Sequence, residues 1–445
     1  MDEALERDCV IAGGGPAGMV LGLILARAGL RVTVLEKHED FLRDFRGDTV
    51  HPSTLTLLGE LGLRERFLAL PVTALSTLDG VIEGQRITLV DFGALPSPDD
   101  FLVMVPQWDF LNFLAREARR LPTFELRMGT EATGLLHEDE DRQPLEEKAW
   151  DVDAAVRGLR ATSPSGVLEI RATLTVAADG RDSGLRRAAG LIPEESGVPI
   201  DVLWFSLPKP PDPTPPTLGH LSSAGMVLTI DRGDSCQSGL IIKKGEFTQM
   251  RRAGLDAFHA RLTQAAPVLG PVVGTLTEWR QVKLLTVQMN RLPHWYRPGF
   301  IAIGDAAHAM SPMFGVGVNF AIQDAVALAN AIVPDLRRGA APVRTLARVQ
   351  SRRERPVKVM QRIQGRGHRV IARSTTGRRV LPRPMVALIR LASPALRRVA
   401  AHVIGQGLFP EHVHTGSVTP RGGHGEVGGV PETWSKTRLW HNEGN

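Results

Sequence analysis

Apolar positions fall along this chain in three patterns, and each predicts a different element. The first is a short unbroken block, Asp8-Cys9-Val10-Ile11-Ala12, bounded by glycines and too short for a helix, which reads as a buried strand. An apolar helical stretch follows from Met19 to Ala28, with Gly29 in the C-cap position, and a second block runs from Arg31 to Glu36. The order is strand, helix, strand. The second pattern is alternation. It ends near Val176 and recurs in Val202–Leu207, Gly225–Ile230 and Gln237–Ile242, which predicts a β-rich region from about Pro193 to Arg291. Six prolines between Pro208 and Pro216 mark an exposed connection inside it. The third pattern is helical spacing: Asp109 to Arg119, about Phe320 to Ile332, and an arginine-rich stretch carrying Val343, Leu346, Val349, Val357, Met360 and Ile363.

Composition narrows the class. With 445 residues, 43% hydrophobic and 23% charged, the chain can bury a large core and is neither disordered nor fibrous. Two cysteines, Cys9 and Cys236, rule out a disulfide framework and a cysteine-rich zinc module, and no metal site is expected. Cys9 reads as a small core residue. The acidic start, Met1 to Arg7, is unlike a signal peptide, and no apolar run is expected to reach the roughly 18 residues of a membrane span, so the expected location is cytoplasmic. Charge is uneven. Between Leu336 and Arg398 stand 17 arginines and one lysine against Glu354, so a net charge of +5 conceals an acidic body and a basic helical segment. Its arginines read as solvated helix faces. No aromatics are interleaved for stacking, which excludes nucleic acid, while peripheral membrane contact stays open.

The chemistry sits at the ends of the predicted strands. Gly13-Gly14-Gly15-Pro16-Ala17-Gly18 joins the first strand to its helix. In this setting Gly13 permits a tight turn, Gly15 lets backbone approach a pyrophosphate, and Gly18 lets helix pack on strand. The helix start offers free N–H donors to the phosphates. Glu36, ending the second strand, is placed to accept ribose hydroxyls and to repel a 2′-phosphate. Two further motifs follow, Asp179-Gly180-Arg181-Asp182 and the long segment from Gly304-Asp305-Ala306-Ala307-His308 through Pro312 to Gly315-Val316-Gly317-Val318-Asn319. Asp305 ends a strand facing a ligand, Pro312 can lie beside an aromatic ring, and the helix start near Gly317 points its dipole at an anion.

These three motifs, in this order and spacing, resemble the flavoprotein aromatic hydroxylases, single-component FAD monooxygenases with the para-hydroxybenzoate hydroxylase fold. The resemblance covers about Asp8 to Ile332. It implies an α/β fold: a Rossmann-like FAD-binding domain of the glutathione reductase type, an interleaved β-rich substrate domain and a C-terminal helical segment. The expected boundaries are 1–190 and 291–345 for the FAD domain, 191–290 for the substrate domain, 346–410 for the arginine-rich helices and 411–445 for a flexible tail.

Carried over by motif, Gly13, Gly15, Pro16, Ala17, Gly18, Glu36 and Lys37 would hold the ADP half of non-covalent FAD. Asp179, Gly180, Gly304 and Asp305 would meet its ribityl and pyrophosphate portion. Pro312, Gly315, Gly317, Val318 and Asn319 would border the flavin ring. Arg46, in the loop Asp44 to Pro52, and Gln107 match further FAD contacts, and Arg181 a segment shared with the reductant. Trp204, Phe205, Met226 and Leu240 are candidates for an apolar substrate pocket.

The resemblance implies that NADPH or NADH reduces FAD, that O2 adds as a flavin hydroperoxide, and that an aromatic or other electron-rich hydrophobic small molecule is hydroxylated. A double-bond reductase of isoprenoid or lipid-like substrates is the alternative. A halogenase is disfavoured because no Trp-x-Trp-x-x-Pro segment occurs. Two departures matter. Gly315-Val316-Gly317 lacks the glutamine many relatives carry, and a single tyrosine, Tyr296, excludes a tyrosine-pair proton relay, so no catalytic residue is assigned. His308 reads as a structural hydrogen-bonding residue.

Overall fold

The computed structural model describes residues 5–42, 49–82, 84–138, 154–211, 217–232, 234–374 and 393–414. Its centre is a parallel sheet in the order Phe300–Ala302, Gly166–Ala177, Leu5–Ala12, Val32–Leu35 and Phe124–Arg127. Strands buried on both faces need unbroken apolar runs, and Cys9, Val10 and Ile11 are fully buried. Burial also pushes the Cys9 thiol pKa upward, which keeps it an inert core group. Gly166–Ala177 is long enough to serve two purposes. Its second half belongs to the parallel sheet, and its first half pairs with Val156–Ser163, which in turn pairs with Glu131–His137, in an antiparallel meander.

A second, seven-stranded sheet has the order Lys283–Leu285, Ile200–Pro208, Ser235–Lys243, Gly225–Asp231, Thr217–Ser222, Thr77–Ile82, Gln85–Asp91. The last two strands come from the N-terminal part of the chain, so the two sheets are interleaved in sequence. Alternation along Ile200–Pro208 divides its side chains between two apolar layers. Leu203, Phe205 and Leu207 pack under helix Leu255–Ala265, with Phe205 edge-on to Phe258 at 5.6 Å. Ile200, Val202 and Trp204 join the opposite layer.

Helix Gly317–Leu336 lies against helix Pro16–Arg27 in the main core. The stretch Met313–Leu336 contains an 18-residue window of mean hydropathy 1.5 and is long and apolar enough to cross a membrane, which corrects the expectation that no run would be. Its apolarity has a local cause: 72% of that window is buried inside the protein, where a helix must be apolar on nearly every side.

The basic segment forms helix Val343–Ser374, of 32 residues, and helix Ser393–Ala401, which packs on strand Gln85–Asp91. One boundary moves. Glu411, expected in a flexible tail, is 3% exposed and its carboxylate takes Arg352 Nε at 2.6 Å, so it belongs to the packed body. Residues 415–445 lie outside the described residues.

Candidate active site

Three loops meet at the carboxyl ends of the parallel strands, where open α/β sheets place their ligands. In the first, Gly13 has φ +107°, and a Cβ there would stand 2.2 Å from the Ala178 carbonyl oxygen. A Cβ on Gly18 would stand 2.0 Å from the Gly13 carbonyl oxygen. Gly15 differs: a Cβ there would meet nothing within 4 Å. Two of the three glycines are therefore required by protein packing, and the third faces open space. No side chain caps helix Pro16–Arg27, so its first-turn N–H groups, Ala17 and Gly18 among them, stay available to an anion. Glu36 is 6% exposed, and its carboxylate accepts the N–H groups of Gly14 at 3.0 Å and His38 at 3.1 Å. Lys37 beside it is exposed.

The second and third motifs are tied to each other. Asp179 Oδ2 accepts the Leu185 N–H at 3.3 Å, while Asp179 Oδ1 is buried without a partner. Arg181 Nη2 stands 3.5 Å from Asp305 Oδ2. Behind them Arg186, itself buried, donates to the carbonyls of Ala306 at 3.0 Å and Arg181 at 2.9 Å. The Gly180 turn, with φ +87°, and the Gly304–Ala306 turn are thus held in one arrangement.

Pro312 and Phe314 are exposed on the loop that precedes helix Gly317–Leu336. Phe314 has φ 69°, a left-handed conformation unusual for a bulky residue. No side chain caps this helix either, leaving the first-turn N–H groups at Gly317, Val318 and Asn319 free for an anion. The Asn319 side chain works inward instead. Its Oδ1 accepts Ser53 Oγ at 2.7 Å and Thr54 Oγ1 at 2.9 Å, which fixes helix Pro52–Glu60 beside the loop. His51 stands between two carbonyls, Ile404 at 2.8 Å and Gly315 at 3.1 Å; burial lowers its pKa, and those hydrogen bonds offset this only in part.

Sequence reading missed what holds these loops from behind. Asp324, 0% exposed, takes the Gly304 N–H at 3.0 Å and His308 Nε2 at 2.6 Å on one oxygen, and Arg353 Nε at 2.9 Å on the other. Burial opposes its ionisation, but His308 and Arg353 outweigh that and hold the carboxyl below its ordinary range. The basic helix also grips the proline loop. Gln364 Nε2 donates to the carbonyls of Ser311 at 3.1 Å and Met313 at 3.0 Å. His368, fully buried, shares a 2.7 Å hydrogen bond with Ser311 Oγ, and burial lowers its pKa. That segment, expected as solvated faces on the body of the protein, supplies part of the site's support.

The four pocket candidates separate. Trp204 and Met226 join an apolar layer with Val202, Ile241, Met313 and Ile371, which brings the sheet, the proline loop and the basic helix together. Phe205 and Leu240 lie in the opposite layer, because neighbouring strand positions face opposite sides. They line the helix-covered core, a correction to their assignment as pocket residues. The indole Nε1 of Trp204 is buried without a partner. Gln107 opens helix Gln107–Ala118 and is half-buried. Arg46 lies outside the described residues.

Comparison with known proteins decides the family. A family model described as an FAD binding domain matches residues 6–363. The 6-methylpretetramide 4-monooxygenase of Streptomyces rimosus is 30% identical over 408 residues, 90% of this chain and 93% of its own. The chain belongs to the FAD-dependent aromatic hydroxylases. The para-nitrophenol 4-monooxygenase of Pseudomonas sp. (strain WBC-3) is 27% identical, over 74% of this chain and 79% of its own. Among solved structures, the OxyS anhydrotetracycline hydroxylase of Streptomyces rimosus shares the fold with a TM-score of 0.69 and 24% identity, covering 90% of this chain and 76% of that one.

This hydroxylase is therefore an oxidoreductase, and its loops suit FAD. Gly15 borders the open space a pyrophosphate requires, Asp179 Oδ1 is an orphaned buried acceptor, and two uncapped helix starts offer free N–H groups of the kind that bind anions. The residues that would hold the cofactor are Gly15 to Gly18 and Glu36 at the ADP half, Asp179 and Asp305 at its middle, and the segment from Pro312 to Val318 at the ring. The Asp324 network gave no sequence signal, since an aspartate within a helix and an arginine 29 residues later look like any solvated pair.

Proposed function

We propose that this flavoprotein uses NADPH or NADH and O2 to hydroxylate an electron-rich aromatic small molecule held between the proline loop and the second sheet. Bound FAD supplies the electron transfer and the activation of O2. The chain's own residues bind, orient and exclude water. The observation that carries the reading is the apolar layer itself: Trp204, Met226, Val202 and Ile241 stand with Met313, next to the loop suited to the flavin ring. Such a wall admits an aromatic ring and little water. Within it the unpartnered Trp204 N–H is a donor ready for a substrate oxygen.

The relatives named for 6-methylpretetramide, anhydrotetracycline and para-nitrophenol support an aromatic substrate here as well. No name among them supports the double-bond reductase. We place the protein in the cytoplasm, where the reduced dinucleotide is supplied. A proton relay through tyrosines is impossible, since Tyr296 sits on the edge strand Tyr296–Arg297 and is the only one. The test is a panel of phenols and fused-ring aromatics, read by NAD(P)H oxidation and by flavin bleaching without oxygen. The expected result is a ligand that accelerates bleaching and is itself recovered oxygenated. Peroxide release with every ligand and no oxygenated product would overturn it.

A further inference from the structure

Helix Val343–Ser374 has two chemically different sides near its C-terminal end. Gln361, Gln364 and His368 turn inward and hold Asn290, Ala309, Ser311 and Met313. Arg362, Arg366 and Arg369 are exposed, and with Gly365, Gly197 and Pro199 they line a cavity of about 320 Å³. The spacing of four and then three residues puts the three guanidinium groups on one face. Nearby acids are occupied elsewhere. Glu354 pairs with Lys358 at 2.6 Å, Glu194 with Arg291 at 3.4 Å, and Glu195 accepts Asn290 at 2.9 Å. Among the described residues, none of the three arginines has an ion-pair or hydrogen-bond partner.

Three unneutralised guanidinium groups around one cavity repel each other, and a single carboxylate would leave two of them uncompensated. A phosphate ester or diphosphate matches both the charge and the forked donors. Gly365 and Gly197 leave backbone accessible between the arginines. The place also matters. Val198 and Ile200, next to Gly197 and Pro199 in the cavity wall, belong to the apolar layer that contains Met313. An anion in the cavity is thus separated from the flavin loop by one helix, roughly 10 Å across.

We infer that Arg362, Arg366 and Arg369 form the docking site for the phosphates of the reducing dinucleotide. This rests on the proposed use of NAD(P)H. The three positive charges favour the dinucleotide with the additional 2′-phosphate, NADPH. Glu36 occupies the corresponding place in the FAD slot and excludes that phosphate there.

The test uses FAD-loaded enzyme and adenosine 2′,5′-bisphosphate as the probe, with binding followed by calorimetry. R362A, R366A and R369A should each weaken binding about tenfold, the size of effect expected for one charge-assisted contact, and raise KM for NADPH in parallel. R366K should recover more of the affinity than R366E. FAD content and the far-UV spectrum report folding of each variant. Inorganic diphosphate distinguishes a general anion site: if it binds and the nucleotide does not, the assignment is overturned. Equal nucleotide binding by wild type and variants overturns it too. Failure of both nicotinamides to bleach the flavin would refute the proposed function instead, and the calorimetric result would still decide the fate of the site.

Discussion

Gly15 and Gly13 are two residues apart, and substituting each should give opposite results. Gly13→Ala drives a Cβ into the Ala178 carbonyl from a left-handed backbone, so the apoprotein itself should be destabilised. Gly15→Ala meets no protein atom, so the melting temperature of FAD-free protein should stay close to wild type while FAD affinity falls at least tenfold. Fluorescence titration with FAD and calorimetry of the apoprotein separate the two effects. Equal FAD affinity in Gly15→Ala would remove the pyrophosphate from this loop. At the same scale, Asp324→Ala removes the closer of the two carboxylates that Arg353 pairs with and leaves it only Glu411, at 3.8 Å, so denaturant unfolding should show a loss of about 3 kcal/mol. The glycines were legible because their role is local and fixed by the order of strand, turn and helix. Asp324 was not, because its meaning depends on Arg353 and His308 arriving from other elements.

At the level of elements, alternation correctly marked Val202–Leu207, Gly225–Ile230 and Gln237–Ile242 as strands, within bounds of Ile200–Pro208, Gly225–Asp231 and Ser235–Lys243. It could not say which face meets the cofactor. That choice depends on helix Leu255–Ala265 covering the Phe205 face, which no periodicity within the strand reveals. The basic helix shows the same limit. Its arginine-rich outer side dominated the pattern and obscured Gln364 and His368, whose burial comes from the loop they hold. Because burial lowers the pKa of His368, the unfolded chain takes up a proton there more readily than the native one. The resulting contribution to stability is present above about pH 6.5 and is lost as pH falls below it. Thermal unfolding between pH 7.5 and 5.5 should therefore show a declining midpoint, and His368→Asn should reduce that slope even though it lowers the midpoint at pH 7.5. An unchanged slope would mean that His368 is not protected from protonation.

For the whole molecule, the two sheets, the basic helices and the segment ending at His414 are joined around one cofactor region. Glu411 draws the end of the described chain onto Arg352 and Arg353, and Arg353 reaches Asp324 and so the Gly304 turn. Glu411→Gln should destabilise the folded protein by about 1–3 kcal/mol, the cost of an unsatisfied charged hydrogen bond. The loss should be accompanied by weaker FAD retention on gel filtration, whereas a solvated tail residue would change neither. The glycine loop, the Asp179 segment and the proline loop were enough to give the family and the fold class. Substrate identity was not legible, because the pocket wall is assembled from ordinary apolar residues whose partners lie far away in sequence. The central claim is oxygen insertion, and isotope labelling tests it most directly. The FAD-loaded enzyme is incubated with NADPH and an accelerating aromatic ligand under 18O2, and the product is analysed by mass spectrometry. One 18O atom per product molecule is the predicted result; an unlabelled reduced product, formed equally well without oxygen, would contradict the account.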